Sequence, residues 1–156
     1  MKTLSIIGTL LAVFSAPSVN EARLISAYKE AEKNMQGTEE LIRLATSGET
    51  TALKVAFRAS GEAFKAKHSW NPYTKLKYLA RSSDSFGEAV KMDSGDIRIR
   101  FLRYAVEFNT PEFTGYREHL QKDHDMIVKG LADEATRSSI HPEFLKMMNE
   151  LIPVSP

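Results

Sequence analysis

The feature that most constrains the fold is the spacing of apolar residues, which recur every three or four positions along most of the chain. This spacing places apolar side chains on one face of an α-helix. Short polar or glycine-containing breaks separate the periodic segments, and no segment shows the alternation that is typical of a half-buried strand. We therefore predict an all-α fold built from antiparallel helical hairpins.

The first residues have the layout of a secretory signal peptide. Lys2 precedes an apolar run over residues 4–16, which is shorter than the ~20 residues needed to span a bilayer. Small residues at 16–18 predict cleavage before Val19, and the alternatives are a cut before Ala16 and a cut as late as residue 22. We predict a signal peptide over 1–18, a single helical domain over 19–156, and a periplasmic or secreted protein. The competing interpretation is a buried or amphipathic first helix that is never removed.

Composition excludes several classes of site. The chain has no cysteine, so it can form neither a disulfide nor a thiolate metal site. Its formal net charge is +1, and loss of Lys2 with the signal peptide brings this charge to zero. A balanced charge gives no support for nucleic-acid binding. We predict no nucleic-acid partner and no transmembrane span in the mature form.

Capping signals predict several helix boundaries in the second half of the chain. Asn71-Pro72 should begin a helix that ends near Met92, because Asn caps and Pro suits the first helical position. Asp96 is placed to cap the next helix, which Asn109 ends. Thr110-Pro111 repeats the cap-proline signature, with a delay of one turn at Gly115. A last helix should follow His141-Pro142.

Glycines mark the expected boundaries of the first helices. Gly37 should end the first helix and Thr38 should cap the second, which runs from about residue 39 to 46. The third helix runs from about residue 51 to 67 and carries small residues on its packing side. These are Ala56, Ala59, Ser60, Gly61 and Ala63. Their size predicts that a neighbouring antiparallel helix approaches closely.

Two resemblances rest on particular motifs. Phe86, Ala89 and Asp93 resemble the second half of a degenerate tetratricopeptide repeat, in which an aromatic residue and an alanine pack between helices before a turn. Residues 66–78 (AKHSWNPYTKLKY), with IRFLR at 99–103 and GY at 115–116, are similar to blocks of uncharacterised small exported bacterial helical proteins. The first resemblance implies tetratricopeptide-like hairpins. The second implies an exported helical domain and carries no assigned activity.

The segment around Trp70 is the best candidate for a functional surface. Trp70, Tyr73 and Lys75 place two aromatic rings and an ammonium group at a helix entrance, where loops held by rigid helices often bind ligands. The structural alternative is that Trp70 packs back on the helix as a hydrophobic staple and that Tyr73 bonds through its hydroxyl. In that case Trp70→Ala should lower the thermal stability by several degrees.

Arg100 and Arg103 form the second candidate surface. The first interpretation is a solvated helix face with an Arg103–Glu107 pair. The functional alternative is an anion or carboxylate clamp that faces the groove of a helical-repeat scaffold, because guanidinium groups offer a planar bidentate fork.

His119, Asp123 and His124 form the only cluster with metal-ligand character. Positions 119 and 123 share a helical face, but position 124 is offset by ~100° and no second ligand motif is evident. A partly buried structural histidine is therefore the favoured interpretation of His124. We predict no metal site and no cofactor, and metal-dependent hydrolysis is a remote alternative.

These observations favour a binding protein over an enzyme. Serine and threonine occupy predicted caps, and none lies in a Gly-x-Ser-x-Gly or Ser-x-x-Lys motif, so no catalytic residue is assigned. The leading hypothesis is a non-enzymatic helical-repeat-like protein that binds a protein or peptide of the bacterial envelope. The alternative is a periplasmic protein that binds a small ligand or a metal. Convergence of Trp70, Tyr73 and Arg100 in one concavity would favour recognition over simple packing.

Overall fold

The computed structural model describes residues 19–152. This part of the chain forms eight α-helices and one short 3₁₀ turn, contains no strand, and confirms the all-α prediction. The helices are α1 (Val19–Ala31), α2 (Met35–Thr46), α3 (Ala52–His68), α4 (Pro72–Met92), α5 (Ile97–Asn109), α6 (Leu120–Ala132), α7 (Glu134–Ser139) and α8 (Pro142–Leu151), with the 3₁₀ turn at Glu112–Thr114. The signal-peptide prediction lies outside the described residues.

The caps of α4 and α5 are those that the sequence predicts. The Asn71 side chain accepts a hydrogen bond from the Tyr73 backbone N–H at 2.9 Å, and that of Asp96 accepts from the Arg98 N–H at 2.9 Å. These side chains satisfy backbone donors that have no partner within the first turn of the helix. The predicted ends at Met92 and Asn109 are also confirmed.

The predicted boundary between the first two helices is wrong. Asn34, and not Thr38, caps α2, and Gly37 lies inside this helix. A Cβ atom added at Gly37 would lie 2.4 Å from the carbonyl carbon of Glu30. The glycine is therefore needed for a close approach between α2 and the end of α1, and not for a turn. Thr38 supports the same junction, because its hydroxyl donates to the Ala31 carbonyl at 3.1 Å.

Helices α3 and α4 form an antiparallel hairpin. The Lys65 ammonium lies 5.4 Å from the centre of the Tyr78 ring near the loop, and Arg58 bonds to Glu88 at 2.9 Å near the open end. On another side of α3, a Cβ at Gly61 would lie 2.5 Å from Ile42 Cγ1. The small residues of α3 thus allow α2 to approach closely, as the sequence predicts.

The start of the helix after α5 differs from its prediction. Residues 112–114 form only a 3₁₀ turn, Gly115 adopts a left-handed φ of 75°, and α6 begins at Leu120. Thr110 belongs to the end of α5, because its hydroxyl donates to the Val106 carbonyl at 2.7 Å. The delay is therefore longer than the expected single turn. The helix α7 has no counterpart in the prediction.

A chain of edge-to-face aromatic contacts joins the first helices to the last. Tyr28 on α1 contacts Phe64 on α3 with ring centres 5.2 Å apart. Phe144 on α8 contacts Phe57 at 6.0 Å and Phe101 at 5.7 Å. Phe144 is fully buried, so α8 closes the core as predicted. None of the helices within residues 19–152 has both the length and the hydrophobicity that a membrane crossing requires.

Candidate functional site

An open groove lies where α4 and α5 diverge over the C-terminal half of α3. Its volume is about 580 Å³. The groove forms because α4 is only partly packed: no residue of α4 before Ser82 is buried. The buried residues of this helix are Ser82, Phe86 and Ala89, all in its second half. The first half therefore forms one wall of the groove and does not close over it.

The groove is mainly apolar inside. Its floor comes from Ala63 and Phe64 on α3, and its walls come from Leu79 on α4 and Val106 on α5. Tyr28 also lines the groove. The pKa of its hydroxyl is raised, first by burial and second by the nearby Glu32 carboxylate. The phenol therefore stays neutral at physiological pH. This lining suits an aliphatic or aromatic group better than a charged one.

The mouth of the groove carries both exposed apolar and polar groups. Phe113 on the 3₁₀ turn is 89% exposed and Leu76 on α4 is 48% exposed, although both line the groove. Lys75 lies on the same rim. Lys67 donates to the Glu32 backbone carbonyl at 2.8 Å. Apolar edges that face water in this way mark a surface that gains by being covered.

The predicted aromatic site divides between the groove and its surroundings. Lys75 lines the groove, whereas Trp70 and Tyr73 stand outside it at the entrance of α4. Trp70 is 97% exposed, so the hydrophobic-staple interpretation is wrong: the indole does not pack back on the helix. Tyr73 is 85% exposed. Both rings point into solvent beside the groove.

Arg100 and Arg103 lie in the interior, between α5 and α6. Their side chains share the fully buried carboxylate of Asp123. Arg103 Nε and Nη2 donate to its two oxygens at 2.7 Å each, and Arg100 Nη1 donates at 3.1 Å. Arg100 also donates to the Ser94 carbonyl at 3.0 Å. Asp123 thus occupies the guanidinium donors that the sequence suggested for binding an external anion.

The solvated-face interpretation of these arginines is wrong, because Arg100 and Arg103 are only 4% and 5% exposed. The expected Arg103–Glu107 pair is replaced as well. The carboxylate of Glu107 accepts from the His119 backbone N–H at 2.8 Å and contacts His119 Nδ1 at 2.7 Å. Arg100, Arg103 and Glu107 therefore attach α5 to α6 and to the segment before it. Trp70, Tyr73 and Arg100 do not converge in one concavity.

Two of the three residues with metal-ligand character, Asp123 and His119, are engaged by these same contacts. Asp123 is bound to two arginines, and His119 is bound to Glu107. His124 lies beside the Tyr104 ring and is 41% exposed. Across residues 19–152 no group of three or more histidine, aspartate or glutamate side chains could hold a metal ion.

Sequence reasoning missed Phe113 and Val106, which help to form the groove. Both lie at the groove because α5 packs against α3 and the 3₁₀ turn follows α5, which places them beside Phe64, 42 and 49 positions earlier in the chain. The charge pattern contains a simpler signal that this end of the α3–α4 hairpin is an unusual surface. Residues 63–83 contain five lysines and arginines and no aspartate or glutamate.

Comparison with known proteins adds no relative to this picture. No protein-family model, no curated protein and no solved structure matches the chain. The relationship to small exported bacterial helical proteins therefore stays a prediction. The functional interpretation rests on the geometry of the groove and its rim.

Proposed function

We propose that this protein is an exported, non-enzymatic, tetratricopeptide-like domain that binds a peptide segment of another envelope protein in the groove between α3, α4 and α5. The observation that carries the proposal is the apolar groove whose edges, Leu76 and Phe113, stay exposed to water. Covering apolar surface contributes about 25 cal/mol per Å² removed from water. A partner with apolar side chains would gain this contribution.

The arrangement of the helices supports the tetratricopeptide-like part of the proposal. The antiparallel pair α3–α4 is followed by the pair α5–α6, and α3 packs against α5. Phe86 and Ala89, which carry the repeat resemblance, are 1% and 0% exposed. Stacked helical hairpins of this kind present extended concave surfaces to peptides.

The polar rim supports a peptide as the occupant. Lys75 and Asn109 lie at the groove beside its apolar walls. Peptide backbones carry a carbonyl and, except at proline, an N–H at every residue, and each needs a hydrogen-bonding partner or water when it is bound. An open groove with apolar walls and polar edges provides for both the side chains and the backbone.

A small apolar ligand is the second candidate, because a volume of about 580 Å³ falls within the ~300–1,000 Å³ that is typical of small-molecule pockets. Thermal-shift screening of small apolar compounds tests it. A ligand present at 100 times its Kd would stabilise the protein by about 2.7 kcal/mol. We expect any such shift to disappear in a variant whose groove is blocked.

Selection of phage-displayed random peptides on the purified protein tests the peptide proposal. We expect enriched sequences with apolar residues, and a loss of at least tenfold in affinity for Leu76→Asp. Met92→Asp is the matched control, because Met92 lies at the other end of the same helix and is equally exposed at 48%. Peptides that bind both variants with wild-type affinity would contradict a role for the groove.

A further inference from the structure

The first half of α4 and the end of α3 carry a concentrated positive charge. Within residues 63–83 the cations are Lys65, Lys67, Lys75, Lys77 and Arg81. The formal net charge of the whole chain is +1, so the excess of five in this segment is balanced by acidic residues elsewhere. The net charge of the chain therefore does not reveal the local positive charge at this end of the hairpin.

None of these five cations forms a salt bridge within the described part of the chain. Lys65 and Arg81 lie over the ring of Tyr78, at 5.4 and 5.7 Å from its centre. Lys77 is exposed. Elsewhere in the molecule, buried arginines are matched by carboxylates, as Arg103 is by Asp123. The hairpin end thus keeps its positive charge available to an external anion.

Aromatic and basic side chains share the outer face of this helix. Tyr73, Lys77 and Arg81 are four residues apart along α4 and so follow one face of the helix, and Trp70 lies just before the helix begins. We call Trp70, Tyr73 and Lys77 the outer stripe. Its two rings are 97% and 85% exposed, and neither lines the groove. Binding of a peptide in the groove therefore leaves the outer stripe unexplained.

We propose that the outer stripe docks the protein onto the surface of an anionic lipid bilayer. Tryptophan and tyrosine favour the interface between headgroups and acyl chains, because their rings are apolar and their N–H or O–H groups are polar. Lysines beside them are attracted to anionic headgroups. Together these residue types match the two layers of such an interface.

A bilayer fits the outer stripe better than a protein partner does. Rings that are exposed to this degree can insert directly into a headgroup layer, whereas a protein needs matching pockets for them. Four of the five cations are lysines, which protein interfaces disfavour and anionic bilayer surfaces attract. This attachment goes beyond the proposed peptide binding, and it is peripheral and sensitive to salt.

Fluorescence provides a direct test, because Trp70 is the only tryptophan of the chain. The purified protein is titrated with vesicles of equal parts phosphatidylglycerol and phosphatidylcholine, and with vesicles of phosphatidylcholine alone. We expect a blue shift of emission and protection from acrylamide with the anionic vesicles only. Raising the salt concentration should reverse both changes.

Charge variants make the test specific. Lys77→Gln with Arg81→Gln should lower the partition coefficient about 30-fold, since each cation near an anionic surface contributes roughly a factor of five. Lys122→Gln with Lys129→Gln, which removes two exposed lysines of α6, is the matched control and should change it less than twofold. Circular dichroism confirms that both variants are folded.

The proposal is overturned by unchanged emission with anionic vesicles, by an equal shift with neutral vesicles, or by no effect of the Lys77 and Arg81 substitutions. Protection of Trp70 by polyglutamate without any response to vesicles would assign the outer stripe to an acidic protein instead, and would also overturn it. Peptide binding in the groove is measured on the same variant and should be unchanged. The two proposals therefore fail independently.

Discussion

Two regions of this protein differ in whether their charged and aromatic side chains are buried and bonded or exposed to water. Between α5 and α6, two arginines and an aspartate are buried and bonded to one another. At the start of α4, Trp70 and Tyr73 face water with uncompensated lysines around them. The first region uses polar groups to hold helices together, and the second leaves apolar rings without a packing partner.

The difference separates side chains that are already bonded within the fold from side chains that have no partner within residues 19–152. Guanidinium groups are useful for anion recognition only when their donors are free, and those of Arg103 are committed to Asp123. An exposed indole contributes little to stability, and its burial by a partner would be favourable. The residues at the start of α4 are therefore the ones available for recognition.

The largest expected effect comes from removing the carboxylate that the arginines share. Asp123→Asn keeps the volume of the side chain but leaves two buried guanidinium groups without a counter-charge. Breaking a buried ion pair from one side costs roughly 3–5 kcal/mol. We expect a decrease of that size in the free energy of unfolding, measured by urea denaturation.

Asp125→Asn is the control for this substitution, since Asp125 lies two residues further along the same helix and its side chain is 64% exposed. Its effect should be within about 0.5 kcal/mol. Equal effects of the two substitutions would show that the α5–α6 contact does not depend on buried charge.

A smaller effect is expected when the positive charge at position 103 is kept and the guanidinium group is lost. Arg103→Lys retains a cation beside Asp123 but cannot reproduce two parallel hydrogen bonds. We expect a loss of about 1–3 kcal/mol in the same unfolding measurement. Arg81→Lys, on the exposed part of α4, should change stability by less than about 0.5 kcal/mol. An unchanged stability of Arg103→Lys would show that the positive charge at this position matters and the two parallel hydrogen bonds do not.

The smallest effect on stability is expected at the most exposed aromatic residue. Trp70→Ala should change the free energy of unfolding by less than about 0.5 kcal/mol, because the ring has almost no contacts to lose. Phe86→Ala, on the same helix but 1% exposed, should cost about 3–5 kcal/mol. A melting temperature lowered by several degrees in Trp70→Ala would instead support the packing of the indole against the helix.

Local features of the fold could be predicted from the sequence, and contacts between distant positions could not. Asn71 and Asp96 cap helices through their own neighbours, so a few residues contain the whole signal. Gly37 resembled a helix end because glycine serves both turns and close contacts. Only the position of α1 shows that a Cβ there would collide with Glu30.

The candidate sites depended on such distant contacts. Arg100 and Arg103 were ambiguous because the carboxylate that binds them lies 20 or more positions away, on another helix. Trp70, Tyr73 and Lys75 could be selected from the sequence as a candidate surface, yet the exposure of Trp70 depends on what the rest of the fold leaves uncovered. The groove itself has no sequence motif, since it results from the divergence of α4 and α5.

The most direct test of the contrast between these regions is acrylamide quenching of the single tryptophan in the free protein. The structure predicts that Trp70 emits as tryptophan does in water and is quenched nearly as strongly in the native protein as in urea. A blue-shifted emission with strong protection in the native state would contradict it, because the indole would then be packed and the start of α4 would have no free aromatic surface.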